Sequence, residues 1–170
     1  MEYKPKVIVF DLDYTLWPFY ADAYMTLPLH KKDGIVHDKN NCKFELYPQS
    51  FDILRKLHSE GYKIGIASRT SEITGAKKLL ELYDLKRYIH QKEIYPGSKK
   101  AHFAKLHKHL KVPLHDMLFF DDEWRNIKEL REEGVTCVMI KDGINWDYVK
   151  RGLEDHNKKI SEMQLNGLVS

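Results

Sequence analysis

A chain of 170 residues is long enough for one domain with a small insertion and too short for two catalytic domains. At 42% hydrophobic and 31% charged residues it has the apolar material for a core, which excludes a disordered chain. Its formal charge of +3 favours anionic ligands without the dense basic stripe of a nucleic-acid binder. No apolar run nears the ~20 residues of a bilayer span, and MEYKPK has none of the apolar stretch of a signal peptide. Cys42 and Cys137 lie far apart and outside any paired motif, so both read as reduced. The expectation is a cytoplasmic protein, a monomer, that binds neither nucleic acid nor membrane.

Val7-Ile8-Val9-Phe10 reads as a strand buried on both faces of a parallel sheet, and it ends abruptly at Asp11. Residues 17–48 are far too long for an ordinary strand-to-helix loop. They hold Ile35-Val36-His37, a turn over 38–41 and Lys43-Phe44-Glu45-Leu46, which together read as a β-hairpin flap. A helix follows over 50–59, with Phe51, Leu54 and Leu57 on one stripe and Gly61 as its stop. Next come a strand over 62–67, helices over 74–82 and 98–110, and a strand over 117–120. A helix over 124–133 stopped by Gly134, and a strand over 136–140, complete the alternation. Asn145 is placed to cap a terminal helix carrying Trp146, Val149, Leu153 and Ile160, with residues 165–170 as a fraying tail. Strands alternating with helices predict a Rossmann-like α/β domain spanning residues 1–170: three layers, α/β/α, with a central parallel sheet.

In such a sheet ligands bind beyond the carboxyl ends of the strands. The first strand is followed by Asp11-Leu12-Asp13-Tyr14-Thr15 and the second by Ser68-Arg69-Thr70. Gly97-Ser98-Lys99-Lys100 precedes the basic helix, and Asp121-Asp122-Glu123, with Asn126 beyond, follows the third strand. Carboxylates crowded on one rim repel by ~4 kcal/mol per pair at ~4 Å unless a cation intervenes. Aspartates and carbonyls without nearby His or Cys suit Mg²⁺, which commonly partners a phosphate. A phosphorylated substrate is therefore expected, with metal and lysine offsetting repulsion between an attacking carboxylate and the phosphoryl group.

Phe10-Asp11-Leu12-Asp13-Tyr14-Thr15-Leu16, followed in order by Ser68, Lys99 and Asp121-Asp122, resembles the four motifs of the haloacid dehalogenase superfamily. The strings FDLDYTLWPF, ASRTSE, EIYPGSK and FFDDE are similar to those of its magnesium-dependent phosphatase 1 family, whose members lack a large cap domain. The resemblance runs from about Val7 to about Gly143. It implies a haloacid dehalogenase-like fold with the small hairpin flap in place of a large cap, and an Mg²⁺-dependent phosphatase acting on phosphate monoesters. It makes Asp11 the nucleophile, forming an aspartyl-phosphate, and Asp13 the general acid and then base. It also makes Asp11, the Asp13 backbone carbonyl and Asp122 the metal ligands, and Ser68, Arg69 and Lys99 the phosphate- or substrate-binding groups. Asp121 and Asn126 stand around the metal shell, Asn126 where many members of the superfamily carry Asp. Lys99 is preferred to Lys100 because Lys99 with Phe103 reproduces the superfamily's lysine and downstream apolar position. The implied substrates are phosphotyrosine in proteins and phosphorylated small molecules such as sugar phosphates and fructosamine 6-phosphates.

Plainer readings stand beside these. Lys100, Lys105, Lys108 and Lys111 read as a solvated helix face, and His102, His107 and His109 as surface histidines. Arg69 has a surface carboxylate as its alternative partner. Trp17, Phe19 and Tyr20 form either an aromatic lip over the site or the packing of the flap. The rival function is a non-enzymatic phospho-accepting signalling or interaction module of similar α/β fold. The order of motifs speaks against a receiver domain, because Asp121-Asp122 follow Lys99 and Asp13 lies two residues beyond the proposed nucleophile.

Overall fold

The computed structural model describes residues 2–169. Five parallel strands form the central sheet in the order β6-β5-β1-β7-β8, namely β6 (Gln91–Ile94), β5 (Lys63–Ser68), β1 (Val7–Phe10), β7 (Met117–Asp121) and β8 (Thr136–Met139). The α/β/α expectation is met, and β1 lies at the centre, where the strand order reverses. Its four residues are all buried because side chains alternate between two apolar layers. Ile8 and Phe10 join the cluster under α2 (Ser50–Ser59), α3 (Ile73–Leu82) and α6 (Trp146–Leu165). Val7 and Val9 face the opposite cluster, which holds Phe103 and Leu106 of α4 (Lys99–Leu110) and Ile127 and Leu130 of α5 (Trp124–Glu132).

Local chemistry sets the element ends. Gly61 takes φ +93°, and its N–H and that of Tyr62 donate to the His58 and Leu57 carbonyls, closing α2 where the sequence predicts. Ser98 caps α4 by accepting the Lys100 N–H at 3.2 Å, and the Asn145 side chain accepts the Tyr148 N–H at 2.9 Å. Past α6, the Gly167 and Leu168 N–H groups bond to the Gln164 and Met163 carbonyls, while Ser170 lies outside the described residues. Among the described residues no helix is long and apolar enough to cross a membrane.

The insertion is larger than a hairpin. It holds a short helix, α1 (Ala21–Tyr24), and a three-stranded antiparallel sheet of β2 (His30–Lys32), β3 (Ile35–His37) and β4 (Lys43–Phe44). The predicted β3–β4 hairpin is present, with Val36 opposite Phe44, and β2 adds to its other edge. Asp38 staples the turn by accepting N–H groups from Thr26, Asn40 and Cys42 at 2.9–3.0 Å. Trp17, Phe19, Val36 and Phe44 are buried in the cluster on the α2 side, which makes the flap continuous with the core.

Candidate active site

The carboxyl ends of β1, β5 and β7 and the first turn of α4 converge on one point. Lys99, 1% exposed, is its centre: Nζ donates to Asp11 Oδ1 at 2.8 Å, Asp121 Oδ2 at 2.8 Å and the Ala67 carbonyl at 2.7 Å. Lys100 turns away to a half-exposed pairing with Glu133 at 3.8 Å, as expected from the adjacent positions of the two lysines on a helix. Asp11 is held on its other oxygen by the Thr15 hydroxyl at 3.1 Å. The tight turn after β1, with the Thr15 and Leu16 N–H groups on the Leu12 carbonyl, brings Thr15 back to the strand end.

Charge balance at this point is unfavourable in the protein alone. Burial, reinforced by Asp121, pushes the Asp11 carboxyl well above the ordinary range despite the Lys99 ammonium beside it. Burial alone would lower Lys99, but Asp11 and Asp121 outweigh it and hold the ammonium above its ordinary value. Asp122 is pushed up to about 6 by burial, with the Asp121 charge adding. Asp11, Asp121 and Asp122 offer one oxygen each within 4.8 Å of one another. Three carboxylates against one ammonium leave two negative charges, the deficit a divalent cation removes. All three donors are hard oxygens, which fits Mg²⁺. Asp121 is already engaged by Lys99, by Asn126 Nδ2 at 2.9 Å and by the Glu123 N–H at 2.9 Å, so Asp11 and Asp122 have the freer oxygens.

Asp13 lies at the site mouth. Its Oδ1 accepts from Trp17 Nε1 at 2.8 Å and from the Ala21 N–H at 3.1 Å, which ties the flap to the site and leaves Oδ2 without a bonded partner among the described residues. Burial raises its pKa, although those two donors oppose the shift. Ser68, 1% exposed, accepts the Thr70 N–H at 3.2 Å and retains its hydroxyl hydrogen; α3 is capped instead by Glu72, which accepts the Gly75 N–H. Arg69 donates to Asn126 Oδ1 at 3.3 Å and has no carboxylate partner among the described residues. Asp11, Asp13, Ser68, Arg69, Lys99 and Asn126 thus border one cavity of about 160 Å³, rimmed by Tyr20, Asp22 and Arg125. A second hollow of about 400 Å³, which shares Tyr20 with this cavity, is lined by Tyr14, Tyr47, Asp122 and Lys141.

One sequence alternative is decided and one reading is corrected. Trp17 and Phe19 are core residues of the flap, 0% and 9% exposed, because both pack on the sheet cluster; of the proposed lip only Tyr20 reaches the cavity, with Tyr14 edge-on to it at 4.7 Å. His102 is fully buried, unlike His107 and His109. Its Nε2 lies 2.9 Å from the Ser68 carbonyl and 2.7 Å from that of Tyr95, and its Nδ1 3.0 Å from that of Ser98. The ring therefore joins the loops that carry Ser68 and Lys99. Its signal was the i, i+3, i+4, i+7 stripe of Lys99, His102, Phe103 and Leu106, which is the buried face of α4.

The profile of the acid phosphatase family matches residues 3–159. The chain is 49% identical over 155 residues to magnesium-dependent phosphatase 1 of Homo sapiens, covering 91% of this chain and 88% of that protein. It is 35% identical to a HAD-like hydrolase superfamily protein of Schizosaccharomyces pombe, over 79% of this chain and 84% of the other. In fold it is similar to a HAD-superfamily hydrolase of Ehrlichia chaffeensis, with a TM-score of 0.67 at 12% identity over 92% of this chain and 98% of that one.

Proposed function

Given that the chain belongs to the magnesium-dependent phosphatase 1 family, within the acid phosphatases, we propose that this Mg²⁺-dependent phosphatase hydrolyses phosphate monoesters through a phosphoaspartate on Asp11. The observation that carries the mechanism is the Asp11–Lys99–Asp121 cluster at the switch point of the sheet, with Asp13 at its mouth. Asp11 Oδ attacks phosphorus, the bond from phosphorus to the ester oxygen breaks, and the departing oxygen takes a proton from Asp13. Asp13 then removes a proton from water, the hydroxide attacks phosphorus, and inorganic phosphate leaves as the Asp11 carboxylate is restored. Burial, which favours the protonated form of Asp13, suits the first role, and the two donors on Oδ1 direct the proton to Oδ2.

Asp11, the Asp13 carbonyl and Asp122 would hold Mg²⁺, which when bound supplies positive charge against the phosphoryl oxygens. Ser68 and Arg69 offer donors to the same oxygens. A cavity of about 160 Å³ suits the phosphoryl end of a substrate and leaves the organic part at the rim beside Tyr20, Asp22 and Arg125. That openness supports phosphotyrosine in proteins and phosphorylated sugars, fructosamine 6-phosphates included, as substrates. The test is release of p-nitrophenol from p-nitrophenyl phosphate with and without Mg²⁺. Hydrolysis is expected only with the metal and is expected to be abolished by Asp11→Asn; turnover that survives this substitution would remove Asp11 from the nucleophile role.

A further inference from the structure

The donors around the cavity are unequally spent. Lys99 has three N–H groups and the structure uses each of them, on Asp11, Asp121 and the Ala67 carbonyl. Arg125 is exposed and faces Glu123 at 3.7 Å. Arg69 differs from both: its one side-chain bond goes to a neutral oxygen, Asn126 Oδ1. The arginines at 55, 87, 125 and 151 each face a carboxylate, and Arg131, which bonds the Cys137 carbonyl, lies outside the cavity, so Arg69 is the cavity-lining arginine without a carboxylate partner among the described residues. Its remaining N–H groups are free for an oxyanion, and a guanidinium matches phosphate in a bidentate fashion.

Asn126 is 2% exposed in the first turn of α5, and its amide faces two groups of opposite demand. Nδ2 donates to Asp121 Oδ2 at 2.9 Å, and Oδ1 accepts from Arg69 Nη1 at 3.3 Å. The reverse amide orientation would set its NH₂ against the guanidinium and its oxygen against the carboxylate, so the network fixes the assignment. A carboxylate at this position would have no proton to offer Asp121 and would neutralise Arg69 with an ion pair.

Resting on the phosphatase reading, we propose that Asn126 is a positioning residue for substrate rather than part of the metal shell. It anchors on Asp121 and presents Arg69 to the phosphoryl oxygens with its charge unspent.

The experiment is a double-mutant cycle on Asn126→Ala and Arg69→Ala, with Asn126→Asp alongside. Binding of inorganic phosphate to the Mg²⁺-loaded protein is read by calorimetry, and KM and kcat with p-nitrophenyl phosphate. Asn126→Ala is expected to weaken phosphate about tenfold and to raise KM more than it lowers kcat, but to change phosphate binding by less than about twofold when Arg69 is already alanine. Asn126→Asp is expected to bind phosphate at least as weakly as Arg69→Ala. Equal losses in both backgrounds would overturn the proposal, since Asn126 would then act through Asp121 or through packing. Tighter Mg²⁺ binding by Asn126→Asp with phosphate affinity intact would overturn it too, by returning position 126 to the metal shell. If the unmodified protein binds phosphate but hydrolyses nothing, the hydrolase reading fails while the binding cycle still decides the role of Asn126.

Discussion

The adjacent lysines at the start of α4 show how much one helical step changes. Lys99 bridges two buried carboxylates, and removing one partner of such a cluster leaves charge without compensation, at a cost of about 3–5 kcal/mol. Lys100 and Glu133 form a half-exposed pair at 3.8 Å, worth less than ~1 kcal/mol. Lys99→Met is therefore expected to lower the melting midpoint by about 10 °C and to cut kcat by more than about 100-fold, with Lys100→Met changing neither. Thermal melts and steady-state kinetics on the two variants check this, and comparable losses from Lys100→Met would refute it. The distinction was partly legible in the sequence, because Phe103 marks the inward face on which Lys99 also lies. The same periodicity puts His102 on that face, yet its neighbours Lys100, Lys105 and His109 disguise the stripe as a polar helix. Arg69's dependence on an amide was not legible, since it arises between β5 and α5, far apart in the chain.

At the scale of elements, apolar strands announce themselves, the edge strand β8 included, and polar edge strands do not. β1 and β7 are continuous apolar runs, whereas β6 begins Gln91-Lys92-Glu93, whose polar side chains suit a sheet edge, and the sequence reading passed over it. β2, the exposed His30-Lys31-Lys32, escaped for the same reason. The flap was visible by its length and by the β3–β4 turn, but its attachment depends on contacts no local pattern reveals. The Tyr83 hydroxyl donates to the Phe44 carbonyl at 2.6 Å and accepts the Val36 N–H at 3.0 Å, clasping β3 and β4 to the end of α3. Asp38 supplies the internal clasp through three backbone bonds. Asp38→Ala is expected to destabilise the flap by about 2–3 kcal/mol, as bonds to a charged acceptor are lost. Hydrogen exchange should accelerate across residues 25–44 while β1 and β7 stay protected. Acceleration spread evenly over the central sheet would mean that the flap and the core unfold as one unit.

The whole molecule carries its least favourable charges where the chemistry is proposed, and this sets how stability, protons and metal compete. Burial holds the Asp122 carboxyl at about 6 against an ordinary 3.8, and Asp11 and Asp13 are raised as well. A carboxyl raised on folding contributes stability that is full below its unfolded value and lost as pH rises through its folded one. The metal-free protein therefore loses the Asp122 contribution between about pH 4 and pH 6. His156 has the opposite sign: burial holds it at about 4, and what it contributes is present above its ordinary 6.5 and lost as pH falls. Its ring bonds Thr136, outside the acidic cluster, so it affects the metal-free and metal-loaded proteins alike and cancels in their difference. At the proposed site Mg²⁺ would bind the ionised carboxylates and restore the charge balance that burial upsets. With Mg²⁺ at 100 times its dissociation constant the gain is about 2.7 kcal/mol, a rise in midpoint of about 5–10 °C at pH 7.5. Below pH 6 protons occupy Asp122, which at pH 5 weakens Mg²⁺ about tenfold, so the rise should shrink to about half or less there. Melting curves at matched pH with Mg²⁺ and with a chelator measure the difference directly, and a rise that stays constant from pH 5 to 8 would show that the metal binds elsewhere than on these carboxylates.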